Sequence, residues 1–342
     1  MPDCSTAFVS DNAAPAHPDV LAALIAANTG NTRPYGEDPT TARAAESLRR
    51  AFDSPGADVL FALTGTAANI IALAAAVRPW DLIICSDIAH IVVDEAGGVT
   101  RVSGAGITAL PSRDGLLDPT QLDVLMHARG VVHQSQPRIV TITQCTEHGR
   151  VWQPDAIAEF IDHAHALDLL VHVDGARVGN AIAALDVTPL QAVGDADVIT
   201  VGGTKNGMVF GDAVLVRRPE HFGGIQFVQK QIGHLSSKHR YVAAQFEALM
   251  SNSQWLAFAA HANSMAARLS SGLAAHGLVP RYPTDANEVF VDLPDDVLHG
   301  LSAHYLLERL VPGSPTVRFV CSWSTTADEV DEVLTLLPAL SR

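Results

Sequence analysis

The chain has 342 residues, 48% of them hydrophobic, and a formal net charge of −15 at pH 7. That length is too great for one small core and leads us to expect a large domain with a smaller one attached. The negative balance argues against a nucleic-acid or anionic-membrane surface, and no apolar run reaches the roughly 18 residues of a membrane span.

Apolar runs at residues 59–63, 81–85, 139–143, 169–173, 198–201 and 212–216 predict strands. They show little polar alternation, as expected when helices cover both faces of a mostly parallel α/β sheet. Between them, residues 66–77 read as a helix. Residues 155–167 read as another, with Ile157, Phe160, Ile161, Ala164 and Leu167 at helical spacing behind Pro154. Gly104-Ala105-Gly106-Ile107-Thr108-Ala109 has a dinucleotide-like glycine spacing, but Pro111 and Asp114-Gly115 follow at once, so a turn is predicted there. His163 and His165, two apart on a helix, diverge and are expected to be solvated, with no metal bound. After about residue 238 the pattern turns helical at 241–249 and 255–276. Short strands at 287–293 and 317–321 then bracket a helix at 303–310, and a last helix covers 327–340. We expect a large domain over 15–240, and a small one formed by 241–342 with residues 1–14.

The start Met1-Pro2-Asp3-Cys4-Ser5 lacks the basic-then-apolar layout of a secretory signal, so a cytoplasmic protein is expected. Cys4, Cys85, Cys145 and Cys321 are widely separated with no C-x-x-C spacing, which predicts reduced, structural thiols.

Chemistry concentrates where predicted strands end. Lys205 is enclosed by Gly202-Gly203-Thr204 and Asn206-Gly207 after an apolar run, and Asp174 follows another in His172-Val173-Asp174-Gly175-Ala176-Arg177. A lysine amine that forms a Schiff base and a carboxylate that keeps a pyridine nitrogen protonated are the two protein parts that pyridoxal phosphate requires. The alternative for Asp174 is an ion pair with Arg177; the two are compatible. Thr64-Gly65-Thr66-Ala67-Ala68-Asn69 opens a helix after the first sheet strand, which makes Gly65, Thr66 and Ala67 candidates for a phosphate cup; a capped helix with nothing bound is the plainer reading. His90 falls at the same sheet edge and can stack on a cofactor ring or serve as a hydrogen-bonded structural residue. Arg318, within an apolar run, either clamps a substrate carboxylate or reaches solvent from an edge strand.

The ordered set Ser10-Asp11-Asn12, Tyr35-Gly36-Glu37-Asp38, Thr64 to Asn69, Ala89-His90, Asp94-Glu95-Ala96-Gly97, the Asp174 and Lys205 motifs and Val317-Arg318-Phe319-Val320-Cys321-Ser322-Trp323 resembles the low-specificity L-threonine aldolases, of the β-eliminating lyase group of fold-type I pyridoxal phosphate enzymes. The resemblance spans nearly the whole chain. It implies a mostly parallel seven-stranded sheet with a smaller C-terminal α/β domain, and cleavage of threonine and related β-hydroxy-α-amino acids to glycine and an aldehyde. A phenylserine aldolase or a β-eliminating lyase on another amino acid would share the cofactor site, and a catalytically silent relative would share the fold. It further implies Lys205 as the Schiff-base lysine, Asp174 on the pyridine nitrogen, His90 on the ring, Gly65 and Thr66 at the phosphate and Thr204 beside the lysine. Arg177, Arg318 and Ser10 would hold the substrate carboxylate. Tyr35 and residues 230–238 lie in segments that this family brings towards a neighbouring subunit, which implies a homodimer or homotetramer. One departure stands out: where many members place a histidine near the substrate hydroxyl, this chain has Glu147, followed by His148. The base at the β-hydroxyl is then His90, Glu147 or a water they hold.

Overall fold

The computed structural model describes residues 8–340; Cys4 lies outside them, and Cys85, Cys145 and Cys321 are buried and unpaired. Seven strands form one sheet: β1 (Asp58–Ala62), β2 (Asp81–Ser86), β3 (Gly106–Leu110), β4 (Gln136–Thr143), β5 (Leu170–Gly175), β6 (Val198–Gly202) and β7 (Asp212–Val216). Their order is β1-β7-β6-β5-β4-β2-β3. Only β7 runs antiparallel to its neighbours, so the mostly parallel α/β sheet expected from the sequence is present. The central β5, β6 and β7 are buried throughout, which is why their runs lack polar alternation.

The turn expected at residues 104–109 is an edge strand instead. Gly104, at φ +73°, closes the short helix Gly98–Ser103, and β3 then pairs parallel with β2. Its residues are exposed or only partly buried, so no continuous apolar run announced it. The two glycines that end β5 and β6 have a steric reason. A Cβ on Gly175 would lie 2.2 Å from the Thr200 carbonyl oxygen, and one on Gly202 would lie 2.2 Å from that of Ala176. These close approaches fix where the loops carrying Arg177 and Lys205 begin.

One face of the sheet is packed by Phe160, Ile161, Val178 and Phe246, and the other by Ile71, Leu73 and Val99. A third core lies over the antiparallel pair β8 (Glu288–Asp292) and β9 (Thr316–Val320), where Phe8, Leu269, Leu273, Val330 and Val333 meet. Residues after 240 divide between these cores: Val242, Phe246, Leu249 and Trp255 pack with the sheet, while Ala266, Leu269 and Leu273, further along the helix Gln254–Ala275, pack with β8 and β9. The helix expected at 303–310 sits earlier, at Asp295–Ser302. Pro294 and the acidic pair Asp295 and Asp296 favour a start there.

His165 and His163, expected to be solvated, are partly exposed, and each also lies beside a carboxylate. His165 Nε2 lies 3.0 Å from Asp197 Oδ2, and His163 Nε2 lies 3.3 Å from Asp123 Oδ2. Among the described residues no group of three or more metal-ligating side chains converges, and no helix is long and apolar enough to cross a membrane.

Candidate active site

The carboxyl ends of β4, β5 and β6 and the start of the helix Gly65–Ala76 open into one cavity of about 440 Å³. Ligands collect at this edge of a parallel sheet because helix N-termini and strand-end loops converge there. Thr64 caps the helix, its Oγ1 accepting from the Ala67 amide at 3.2 Å. That bond occupies Ala67, which does not line the cavity, whereas Gly65 and Thr66 do. Their position at the positive end of a helix suits an anion.

Asp174 lies one residue before the end of β5, with 5% of its surface exposed. The alternative reading, an ion pair with Arg177, is not what forms. Asp174 Oδ2 instead accepts from Asn69 Nδ2 (2.8 Å) and Oδ1 from the Ala176 amide (3.0 Å). No Lys or Arg among the described residues pairs with this carboxylate within 4.0 Å, and a buried carboxylate without a cation is costly. The arrangement therefore fits a ligand that brings its own positive charge, as a protonated pyridine nitrogen does. The Asn69 amide also donates to Glu95 Oε1 (2.8 Å), and Glu95 Oε1 meets His90 Nδ1 at 2.8 Å. That bond to Glu95 raises the His90 pKa against the opposing effect of burial. His172, two residues before Asp174, is buried, and desolvation pushes it down to about 4, which favours the neutral ring; its Nδ1 lies 2.7 Å from the Thr141 hydroxyl.

Lys205 lies in the short helical turn Thr204–Asn206 after β6 and lines the cavity with Thr204. Thr204 Oγ1 accepts from the Gly211 amide at 2.9 Å, tying the lysine's loop to the approach to β7. Asp212, the first residue of β7, also faces this space, with Oδ1 accepting from the Gly203 amide at 2.9 Å.

Glu147 is partly buried and lines the cavity, with its Oε2 shut off from solvent. Its Oε1 accepts from the Thr143 hydroxyl (2.8 Å) and the His90 amide (3.0 Å), while Oε2 has no hydrogen-bond partner. Burial, the largest influence, pushes its carboxyl up to about 7. A carboxyl with that pKa and one oxygen free can exchange a proton with a ligand near neutrality. His148 points elsewhere, stacked on Tyr282 at 4.3 Å between ring centres.

Arg177 is engaged from the N-terminal segment. Its Nε donates to Asp11 Oδ2 (2.7 Å) and its Nη2 to Asp11 Oδ1 (3.1 Å). Glu288, fully buried in β8, sets the same Oε1 3.5 Å from Arg177 and 3.6 Å from Arg318. Burial alone would raise the Asp11 pKa; the positive charges of Arg177 and Lys205 overcome this and hold it below the usual range. The resulting stabilisation is present above the unfolded value of 3.8 and is lost as pH falls through the lower folded value. Asp11→Ala, which leaves Arg177 buried without its forked partner, should lower unfolding stability by about 3–5 kcal/mol at pH 7, read as a shift in the urea midpoint at unchanged slope; an unshifted midpoint would contradict this role.

Of the residues singled out from the sequence, Gly65, Thr66, His90, Glu147, Asp174, Arg177, Thr204 and Lys205 line one cavity. Arg318 joins it indirectly, through Glu288 and Arg177. Ser10 caps the turn Asp11–Ala13, accepting from the Asn12 amide at 3.1 Å. Tyr35 is half exposed, with the Lys230 ammonium 4.8 Å from its ring centre. Sequence reasoning gave no role to Asp11, Asn69, Glu95, Asp212 or Glu288. For Glu288 the only signal was its place at the start of the apolar run Val289 to Val291, behind Asn287.

The family model for β-eliminating lyases matches residues 7–296. A low-specificity L-threonine aldolase of Pseudomonas sp. (strain NCIMB 10558) is 38% identical over 337 residues, covering 97% of each chain. One from Pseudomonas aeruginosa is 37% identical over 338 residues, again covering 97% of each. A solved threonine aldolase structure from Leishmania major superposes with a TM-score of 0.93 at 28% identity, covering 98% of this chain and 100% of that one. Serine palmitoyltransferase of Sphingomonas wittichii, at 16% identity and a TM-score of 0.75, shares the fold. With a family model covering most of its length and close relatives matching it nearly end to end, this chain belongs to the β-eliminating lyase family, among the low-specificity L-threonine aldolases.

Proposed function

We propose that this chain cleaves L-threonine, L-allo-threonine and related β-hydroxy-α-amino acids to glycine and an aldehyde, with pyridoxal phosphate as its cofactor. The observation that carries the reading is the convergence, in one cavity, of Lys205, the cation-free carboxylate Asp174, the amide cup at Gly65 and Thr66, and the half-satisfied carboxyl of Glu147. When bound, the cofactor supplies an electron-accepting ring that takes up the electron pair of the breaking Cα–Cβ bond. Lys205 anchors its aldehyde carbon, with Thr204 beside it, Asp174 keeps its ring nitrogen protonated, and Gly65 and Thr66 receive its phosphate. His90 covers the ring, oriented by Glu95.

Arg318 and Arg177, with Ser10, hold the substrate carboxylate, which fixes the bond to be broken relative to the ring. Because Arg177 already has its fork on Asp11, it acts by charge and by position, and the exchangeable contact falls to Arg318. Glu147 Oε2 accepts the β-hydroxyl proton as the aldehyde leaves. His90 is the weaker candidate for that step, because Glu95 favours its protonated form.

A homodimer or homotetramer belongs to the same reading. Phe227 and Ile25 are 80% and 76% exposed, and Tyr35 and Lys230 meet at the surface, as groups awaiting a second subunit would. The buried, unpaired thiols support a reducing, cytoplasmic setting.

The test is incubation of purified, cofactor-loaded protein with L-threonine, L-allo-threonine and phenylserine, with glycine and aldehyde assayed. Equimolar glycine and aldehyde are expected. Ammonia and a keto acid without glycine would move the activity to an eliminase, and no turnover on a broad amino-acid panel would make the chain a silent relative.

A further inference from the structure

The cup at Gly65 and Thr66 contains an acid. Asp212 opens β7 and is held on both sides by the sheet, opposite Ala62 of β1 and Gly202 of β6. Its Oδ1 is fixed by the Gly203 amide at 2.9 Å. Its Oδ2 faces the start of the helix Gly65–Ala76: a Cβ on Gly65 would lie 3.5 Å from it. The side chain is 5% exposed and lines the cavity beside Gly65, Thr66 and Lys205.

The charged groups around it do not neutralise it fully. Lys205, after β6, favours the carboxylate, and Asp174, at the end of β5, disfavours it. The helix presents backbone amides. On the β1 side, His234 accepts from the Leu63 amide through Nδ1 at 3.2 Å and is kept neutral by burial. Desolvation outweighs the hydrogen bonds from the Gly203 and Thr204 amides and the Lys205 charge, pushing the Asp212 carboxyl up to about 6.

A phosphate monoester, with its second ionisation near 6, is largely a dianion at pH 7.5. Placed in this cup it faces a carboxyl that, if ionised, opposes it across low-dielectric space, and that, if protonated, offers it a hydrogen bond. Building on the cofactor assignment above, we propose that Asp212 is a phosphate-binding residue acting in its protonated form, donating its carboxyl hydrogen to the cofactor phosphate, so that loading takes up a proton from solvent.

Calorimetry of cofactor-free protein in two buffers of different ionisation enthalpy tests this, with pyridoxamine 5′-phosphate and pyridoxamine as probes. Neither carries an aldehyde, so Lys205 forms no bond to them, and the pair differs only in the phosphate. At pH 7.5 the phosphorylated probe should take up about one proton more than the other. Its affinity should fall by up to roughly tenfold per pH unit above pH 7. In Asp212→Asn, whose amide oxygen can still accept from Gly203, the excess uptake should vanish, and the phosphorylated probe should bind more tightly than to wild type at pH 8.5. Tight, phosphate-dependent binding with no excess uptake in the wild type would overturn the role of Asp212 and leave the cup standing, and so would an excess that persists in Asp212→Asn. Equal affinity for both probes would overturn the cup as well.

Discussion

Lys205→Ala should lack the visible absorption of lysine-bound cofactor and lose aldol cleavage by about 10⁴-fold or more, equivalent to about 5.5 kcal/mol of transition-state stabilisation. The size of the effect follows from the chemistry. Without the amine, the cofactor would be held only by the proposed cup at Gly65 and Thr66 and by Asp174 and His90, and the covalent anchor that Lys205 would supply would be lost. The loss should not come from unfolding. Lys205 makes no ion pair within 4.0 Å among the described residues, and the two buried acids that its charge favours keep other partners, Asp11 the Arg177 fork and Asp212 the Gly203 amide. The two glycine contacts that set its loop, at Gly175 and Gly202, are backbone features that the substitution leaves in place. Absorption spectra with added pyridoxal phosphate, with circular dichroism as a folding control, check the prediction; an unchanged visible band in the variant would remove Lys205 from its role.

The parts of this molecule that were legible in the sequence are those where chemistry and packing leave local marks. Buried parallel strands are continuous apolar runs, and the charged residues at or just past their ends, Asp174 and Lys205, stand out because a charge there needs a reason. β3 was illegible because an edge strand is half exposed and its glycines serve a helix end and a packing contact, not a ligand. The helix at Asp295–Ser302 begins eight residues before the one expected at 303–310; its start is marked only by Pro294 and two following acids, while Tyr305, Leu306, Leu307 and Leu310 lie beyond it. Within the site, what escaped was pairing. One reading of the sequence paired Arg177 with Asp174, three residues away. Arg177 reaches Asp11 instead, 166 residues distant in the chain, because the N-terminal segment folds across the sheet edge, with Phe8 anchored by the Leu306 carbonyl and Val320. Asn69 tells the same story: its amide joins Glu95 to Asp174, a link that only the tertiary fold creates.

Glu147→Gln should retain cofactor and substrate binding while kcat falls by about 10²- to 10⁴-fold, the range of a lost general base. Glutamine keeps an oxygen to accept from the Thr143 hydroxyl and the His90 amide, so the loop stays in place and only proton acceptance is removed. The pH profile separates this from a structural effect. Glu147 accepts a proton only when ionised, so wild-type kcat should climb as pH rises through about 7 and level off above it, and that rising limb should be absent in the variant. Stability should move in the opposite direction. A carboxyl raised from 4.5 to about 7 by burial stabilises the fold fully only below 4.5, and that contribution is lost as pH rises through about 7. At pH 8 the glutamine variant should therefore resist urea better than wild type, the trade expected of a residue kept for its chemistry at a cost in stability. A variant with wild-type kcat and an unaltered pH limb would transfer the base to His90 or to a held water. A slower and more stable enzyme that has lost the limb would place the proton on Glu147 Oε2, the one oxygen of that carboxyl that the folded chain leaves without a partner.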